Sequence, residues 1–196
     1  IDTLWEVGVP QVVFTGGECM LREDLVELVR YSKQCTTGII TNGTLLSSDL
    51  ARQLRDAHLD WIQITLEAAT AAVHDDIQGR KGAWKETVAG IKNAVAAGLS
   101  VSVNATLSQK NATVLKGLID LARKLNVRYV STNAIINAGR GIAEKEESGL
   151  EEQELQKILE EACSYAKSRD VSFNWFLPTC YKNVNPMELG FGQRCC

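Results

Sequence analysis

The chain has 196 residues, enough for one ordinary domain with its own core, and it is 45% hydrophobic and 23% charged, as globular proteins are. A net charge of -3 offers no basic footprint for nucleic acid or an anionic membrane, and no apolar run reaches the roughly 20 residues of a spanning helix. With no signal peptide at its start, the sequence reads as a cytoplasmic domain.

The chain opens at Ile1, in what reads as the tail of a helix, and stops at Cys195-Cys196 without a closing element, so a piece truncated at both ends is expected. Residues 11–15 form a first strand, three apolar β-formers running into Gly16-Gly17-Glu18. An amphipathic helix follows over 23–33, with Leu25, Leu28 and Val29 on one stripe. The second strand, 37–41, closes on the turn signal Asn42-Gly43, and Ser47 or Ser48 caps a helix through residue 57 with Leu50 and Leu54 facing in. Residues 61–66 are a third strand, 68–77 a short helix, and 84–97 a stronger one stopped by Gly98.

A fourth strand spans 100–106. The next helix, 112–125, carries Leu115, Leu118, Ile119, Ala122 and Leu125 at helical spacing, with Asn126 as its stop. Residues 128–136 are a fifth strand and 138–147 a polar loop. Ser148-Gly149-Leu150-Glu151 matches a capping box ahead of a helix over 151–168, whose acidic residues read as a solvated face. Residues 171–176 are a further strand, and Pro178 marks a boundary, giving a barrel domain over 1–177 and a different segment over 178–196.

Strand and helix thus alternate five times over about 160 residues, which makes a parallel sheet with right-handed helical crossovers. The fold class is α/β, a partial (β/α)6 TIM-like barrel of parallel strands. In such folds ligands sit at the carboxyl ends of the strands. Polar residues stand there in every case: Gly16, Gly17 and Glu18, then Thr41 and Asn42, then Thr65 and Glu67, then Asn104, then Asn133 with Arg140 beyond. Each has a plain structural reading as well: Asn42-Gly43 is a common turn, Asn104 can satisfy neighbouring backbone, and Arg140 can be a surface loop residue. His74 reads as a helix-surface histidine.

The segment around Gly16-Gly17-Glu18 resembles the GGE motif of radical S-adenosylmethionine (radical SAM) enzymes. Ile-Thr-Asn-Gly-Thr-Leu-Leu (40–46), Ile-Gln-Ile-Thr-Leu-Glu (62–67), His74-Asp75 and Gly139-Arg140-Gly141 resemble later motifs of the SPASM subgroup, in order. That subgroup includes peptide maturases and enzymes of cofactor and haem synthesis. The resemblance implies reductive cleavage of S-adenosylmethionine (SAM) at a 4Fe-4S cluster, with a 5′-deoxyadenosyl radical abstracting hydrogen from a peptide or tetrapyrrole substrate. An electron donor protein is implied too. Glu18 and the Gly16-Gly17 backbone would hold the SAM ammonium, which has three donors and needs converging oxygens. Thr41 and Asn42 would belong to the same cofactor site. Thr65 and Glu67 would face the ribose or the methionyl end, with Asn104 nearby and Arg140 toward the carboxylate or the substrate.

Cys180, nine residues, Gly190, four residues and Cys195 resemble the opening of a SPASM auxiliary-cluster domain, making Cys180 and Cys195 candidate iron–sulfur ligands. Cys163 and Cys35 read as core thiols. Three departures stand against these matches. No Cys-x-x-x-Cys-x-x-Cys occurs in the chain, Cys19 replaces the usual Pro after Gly-Gly-Glu, and Gln78-Gly79 stands where many relatives carry Arg next to Gly, with Arg80 as a substitute in reach. The fragment alone is therefore expected to be inactive, as part of an enzyme, or alternatively to be a non-catalytic, degenerate relative with a binding or scaffolding role. A cluster-free barrel binding phosphate ranks last, because no glycine-rich phosphate cradle is present.

Overall fold

The computed structural model describes residues 1–135, 143 and 148–176. Its elements, in chain order, are α1 (Asp2–Glu6), β1 (Gln11–Phe14), a 3-10 turn (Cys19–Leu21), α2 (Leu25–Tyr31), β2 (Thr36–Thr41), α3 (Ser48–Asp56), β3 (Trp61–Thr65), α4 (Ala71–Gln78), α5 (Ala83–Ala96), β4 (Val101–Leu107), a second 3-10 turn (Ala112–Val114), α6 (Leu115–Lys124), β5 (Tyr129–Ala134), α7 (Glu152–Ser168) and β6 (Ser172–Trp175). The six strands lie in one sheet in their sequence order. Parallel neighbours require a crossover, and a helix supplies each one. The sheet is the parallel α/β arrangement expected from the alternation, including the sixth strand. Arg140, Cys180, Cys195 and the whole 178–196 segment lie outside the described residues.

By internal packing the chain divides into two units, residues 1–65 with 82–102, and residues 66–81 with 103–196. In the first, β2 pairs in parallel with both β1 and β3, Phe14 opposite Ile39 and Ile39 opposite Ile62. Ile39, Ile62 and Ile64 are fully buried, as are Leu25 and Val29 of α2, Ala51 and Leu54 of α3, and Ile91 and Ala94 of α5. Each such Leu or Ile side chain contributes about 1.5–3 kcal/mol on burial. Ser47 is the N-cap of α3, its side chain accepting from the Leu50 N–H. Leu4, Trp5, Val7 and Val13 remain exposed.

In the second unit β5 pairs in parallel with β6, Thr132 opposite Trp175. Leu115, Leu118, Ile119 and Ala122 of α6 and Leu155, Leu159, Ala162 and Ala166 of α7 are all buried. On the solvent side Lys116 meets Glu161 at 2.9 Å and Tyr165 donates to Asp120 at 2.8 Å. Asn126 stops α6 with a left-handed φ of 61°.

Three local expectations fail. The short helix α4 begins at Ala71 rather than at 68, because Ala68 is buried and Thr70, extended, is the N-cap. The cap position differs: Glu151, not Ser148, is the N-cap of α7, and Ser148 is buried with its carbonyl accepting from Gln109 N–H at 2.9 Å. His74, expected on the helix surface, is 1% exposed, because it shares the inward stripe of α4 with Val73 and Ile77.

Candidate ligand-binding site

In the first unit β1 delivers the chain into Thr15-Gly16-Gly17, which is exposed, and then into Glu18, half-buried. Gly16 has φ of 140°, a conformation side chains rarely adopt, and a Cβ on Gly16 or Gly17 would meet nothing within 4 Å. The backbone there is bare and open to a ligand. Glu18 is held from three sides. Its Oε1 accepts from the Met20 N–H at 3.0 Å and the Thr41 hydroxyl at 2.7 Å, while Oε2 accepts from the Asn42 N–H at 3.0 Å. Two carboxylate oxygens offer about four lone-pair sites, so Oε2 retains accepting capacity for an incoming donor.

The loop that supplies those donors is itself fixed. The Asn42 side chain accepts from the N–H and hydroxyl of Thr44 at 2.9 and 2.8 Å, an Asx turn, and Thr41 Oγ1 accepts from the Gly43 N–H. From α5, Thr87 donates its hydroxyl to the Asn42 carbonyl at 2.9 Å and Asn93 its amide to the Leu46 carbonyl at 2.8 Å. Cys19, next to Glu18, is a buried thiol whose pKa is pushed up to about 11, first by burial and then by the Glu18 charge. It stays protonated at neutral pH and is a poor nucleophile.

The second unit holds a different cluster. Glu67, 6% exposed, accepts at Oε2 from the Thr106 N–H at 2.9 Å. Its carbonyl accepts from Asn111 Nδ2 at 3.0 Å, and its N–H donates to His74 Nδ1 at 3.1 Å. Burial pushes the Glu67 carboxyl up to about 7, the single backbone donor from Thr106 offsetting only part of the desolvation. Asn104 donates to Ser131 Oγ at 2.9 Å, so its partner is a side chain of β5 rather than neighbouring backbone. Asn133, half-buried, donates to Thr106 Oγ1 at 3.4 Å.

Of the residues singled out from sequence, the structure joins Glu18, Thr41 and Asn42 by direct hydrogen bonds and sets Gly16 and Gly17 beside them as open backbone. Thr65 ends β3, half-buried. Glu67 lies two residues past the end of β3, whereas Asn104, expected at a strand end, is the central residue of β4 because that strand runs on to Leu107; each is already hydrogen-bonded within the second unit. Thr87, Asn93, His74 and Asn111 were missed. Only His74 had a local signal, the inward stripe of α4. Among the described residues no group of three or more His, Cys, Asp or Glu side chains comes together to hold a metal.

An organised carboxylate beside bare glycine backbone, and a buried carboxylate held through its own peptide, each follow a parallel strand in an α/β fold of the TIM-like kind. Residues 1–113 match the Radical SAM superfamily, and the chain belongs to that superfamily. It is 33% identical over 144 residues to an AdoMet-dependent heme synthase of Oleidesulfovibrio alaskensis, covering 71% of this chain and 37% of that one. It is 30% identical over 192 residues to a PqqA peptide cyclase of Gluconobacter oxydans, covering 96% and 54%. The chain thus spans between about a third and half of these relatives. Its fold is similar to that of Streptococcus suis SuiB bound to precursor peptide SuiA, with a TM-score of 0.77 over 92% of this chain and 40% of that one, at 16% identity.

Proposed function

We propose that this chain is the SAM-binding part of a SPASM-type radical SAM enzyme. The observation that carries the reading is the Glu18 carboxylate, oriented by Met20, Thr41 and Asn42 beside the open Gly16-Gly17 backbone. That arrangement suits an ammonium, which donates three hydrogen bonds and accepts none. Gly16, Gly17, Glu18, Thr41 and Asn42 form the amino-acid end of the proposed site. Thr65, Glu67 and Asn104 are assigned to the ribose or methionyl end, and Arg140 to the carboxylate or the substrate. Cys180 and Cys195 are assigned to an auxiliary cluster in a segment beginning at 178.

A 4Fe-4S cluster supplies the electron for SAM cleavage when bound. The 196 residues contain no Cys-x-x-x-Cys-x-x-Cys, so this chain by itself is proposed to bind SAM without cleaving it. The substrate class is a peptide side chain or a tetrapyrrole, in keeping with relatives that include a peptide cyclase and a heme synthase. Reduction by an electron donor protein and a cytoplasmic location complete the proposal. Among the described residues no helix is long and apolar enough to cross a membrane, and the net charge of -3 gives nucleic acid no counterpart.

Calorimetric titration of SAM into the chain tests it. Glu18→Gln removes the charge that meets the ammonium and is expected to weaken binding about ten- to hundredfold, the range for hydrogen bonds to charged groups. No SAM affinity in the unmutated chain, or equal affinity in Glu18→Gln, overturns the reading.

A further inference from the structure

His74 is a puzzling choice for the interior of α4. Its Nδ1 accepts the Glu67 N–H, which puts the proton of the neutral ring on Nε2, and that buried Nε2 has no hydrogen-bond partner. Burial holds the imidazole neutral, with Asp75 opposing that shift and Arg80 adding to it. An apolar side chain of similar size would fill the space without stranding an N–H, so stability alone does not account for a histidine here. What the histidine provides, and leucine cannot, is an acceptor for the Glu67 N–H.

The same peptide is gripped on its other side. Asn111, 1% exposed, donates to the Glu67 carbonyl and to the Thr106 carbonyl, both at 3.0 Å, and accepts from the Ser108 N–H at 2.9 Å. Thr106 in turn donates its N–H to Glu67 Oε2. The backbone on both sides of Glu67 and one carboxylate oxygen are thereby fixed from α4, from the 108–111 turn and from β4. The second oxygen, Oε1, is not used in these bonds.

We propose that His74 and Asn111 are positioning residues that aim the Glu67 carboxyl, through its own backbone, at a hydroxyl of the bound ligand. His74 acts as a neutral acceptor on the Glu67 N–H and Asn111 as a donor on the Glu67 carbonyl. The ligand part of this inference rests on the SAM reading; the clamp does not.

The test compares the unmutated chain with His74→Leu, which removes the acceptor, and His74→Asn, whose side-chain oxygen can reach the Nδ1 position. Nuclear magnetic resonance of the ligand-free proteins reads the clamp. The expected results are the Nε2–H tautomer at His74 and protection of the Glu67 amide from exchange. In His74→Leu that protection falls at least tenfold and the Glu67 carboxyl titration moves, while Val103 and Ala105 amides are unchanged. His74→Asn restores both. SAM titration then reads the consequence: His74→Leu weakens binding about five- to hundredfold and His74→Asn less than about threefold. Unchanged Glu67 protection and SAM affinity in His74→Leu overturn the proposal, as does a folded His74→Asn that binds SAM tenfold more weakly. If His74→Leu does not fold, the tautomer and His74→Asn decide. If the unmutated chain shows the clamp signals but no SAM binding, the SAM reading falls and the clamp stands.

Discussion

Gly90 and Gly117 set up a matched experiment in which one substitution has opposite signs at two helical sites. Gly inside a helix is worse than Ala by about 1 kcal/mol, so propensity alone predicts that Ala stabilises both. A Cβ on Gly117 of α6 meets only Ala69 Cβ at 3.6 Å, an ordinary contact. A Cβ on Gly90 of α5 would lie 2.1 Å from the Gly43 carbonyl oxygen and 3.1 Å from its carbon. Backbone is what it strikes, and the backbone cannot retreat. Gly43 sits at φ 73°, with Ile64 packed where its own Cβ would be, 2.7 Å away. Thr87 and Asn93 tie the same loop to α5 through the carbonyls of Asn42 and Leu46.

Overpacking of this kind costs about 1–3 kcal/mol and loss of the Thr87 bond about 1 kcal/mol more, against the gain of about 1 kcal/mol in propensity. Gly90→Ala is expected to destabilise by about 2 kcal/mol and Gly117→Ala to stabilise by up to about 1 kcal/mol. For a chain of this size the first lowers Tm by about 4–8 °C. Urea and thermal unfolding followed by circular dichroism measure both. A Gly90→Ala protein at least as stable as the parent refutes the close packing of α5 on the 42–46 loop.

Two further outcomes follow from the site chemistry. Glu67 titrates at about 7 in the fold and about 4.3 in the unfolded chain, so the folded state binds its proton more tightly. Its contribution to stability is complete below about pH 4.3 and is lost as pH rises to about 7, a change of about 4 kcal/mol. Glu67→Gln removes that slope, so the stability of Glu67→Gln relative to the parent rises between those pH values; parallel profiles refute it. Cys19, with its thiol raised to about 11, is expected to alkylate at pH 8 about two orders of magnitude more slowly than a free cysteine, and peptide mass spectrometry of partly labelled protein measures this.

The elements were legible because each announces itself over a few residues: Val12-Val13-Phe14 for β1, the Leu115-Leu118-Ile119-Ala122 stripe for α6, Gly98 and Asn126 as stops. Sheet order followed, since parallel strands joined by short helical crossovers tend to stay neighbours. The strand-end residues were legible as a set, but their mutual bonding was not. That Thr41 and Asn42 close on the Glu18 carboxylate depends on the register of β1 against β2, and no local pattern encodes it. Ser148 failed for the converse reason: the local motif is complete, yet Glu151 is the residue that caps the helix and Ser148 is buried ahead of it. Asn111 and Thr87 act on peptides 44 and 45 residues away, a reach that a reading by segments does not have.

The two carboxylates at the strand ends are prepared for different partners, and their surroundings show how. Glu18 is half-buried, and two backbone N–H groups and a hydroxyl orient its carboxylate. A carboxylate so prepared is matched to a cation. Glu67 is nearly sealed from water and takes one donor at its carboxyl, with the remaining bonds spent on its backbone. Around neutral pH it is partly protonated, so it can accept from a ligand hydroxyl or donate to one. In the proposed function Glu18 meets an ammonium and Glu67 a hydroxyl, and one acidic residue type suits both roles only because the fold gives each its own environment. Exchanging the chemistry, Glu18→Gln or Glu67→Gln, should therefore fail differently. Glu18→Gln loses the salt-bridge partner and weakens SAM at every pH above the carboxylate range. Glu67→Gln keeps a donor and an acceptor, so its SAM affinity should stay close to that of the parent near pH 6 and lose the pH dependence the parent shows around 7.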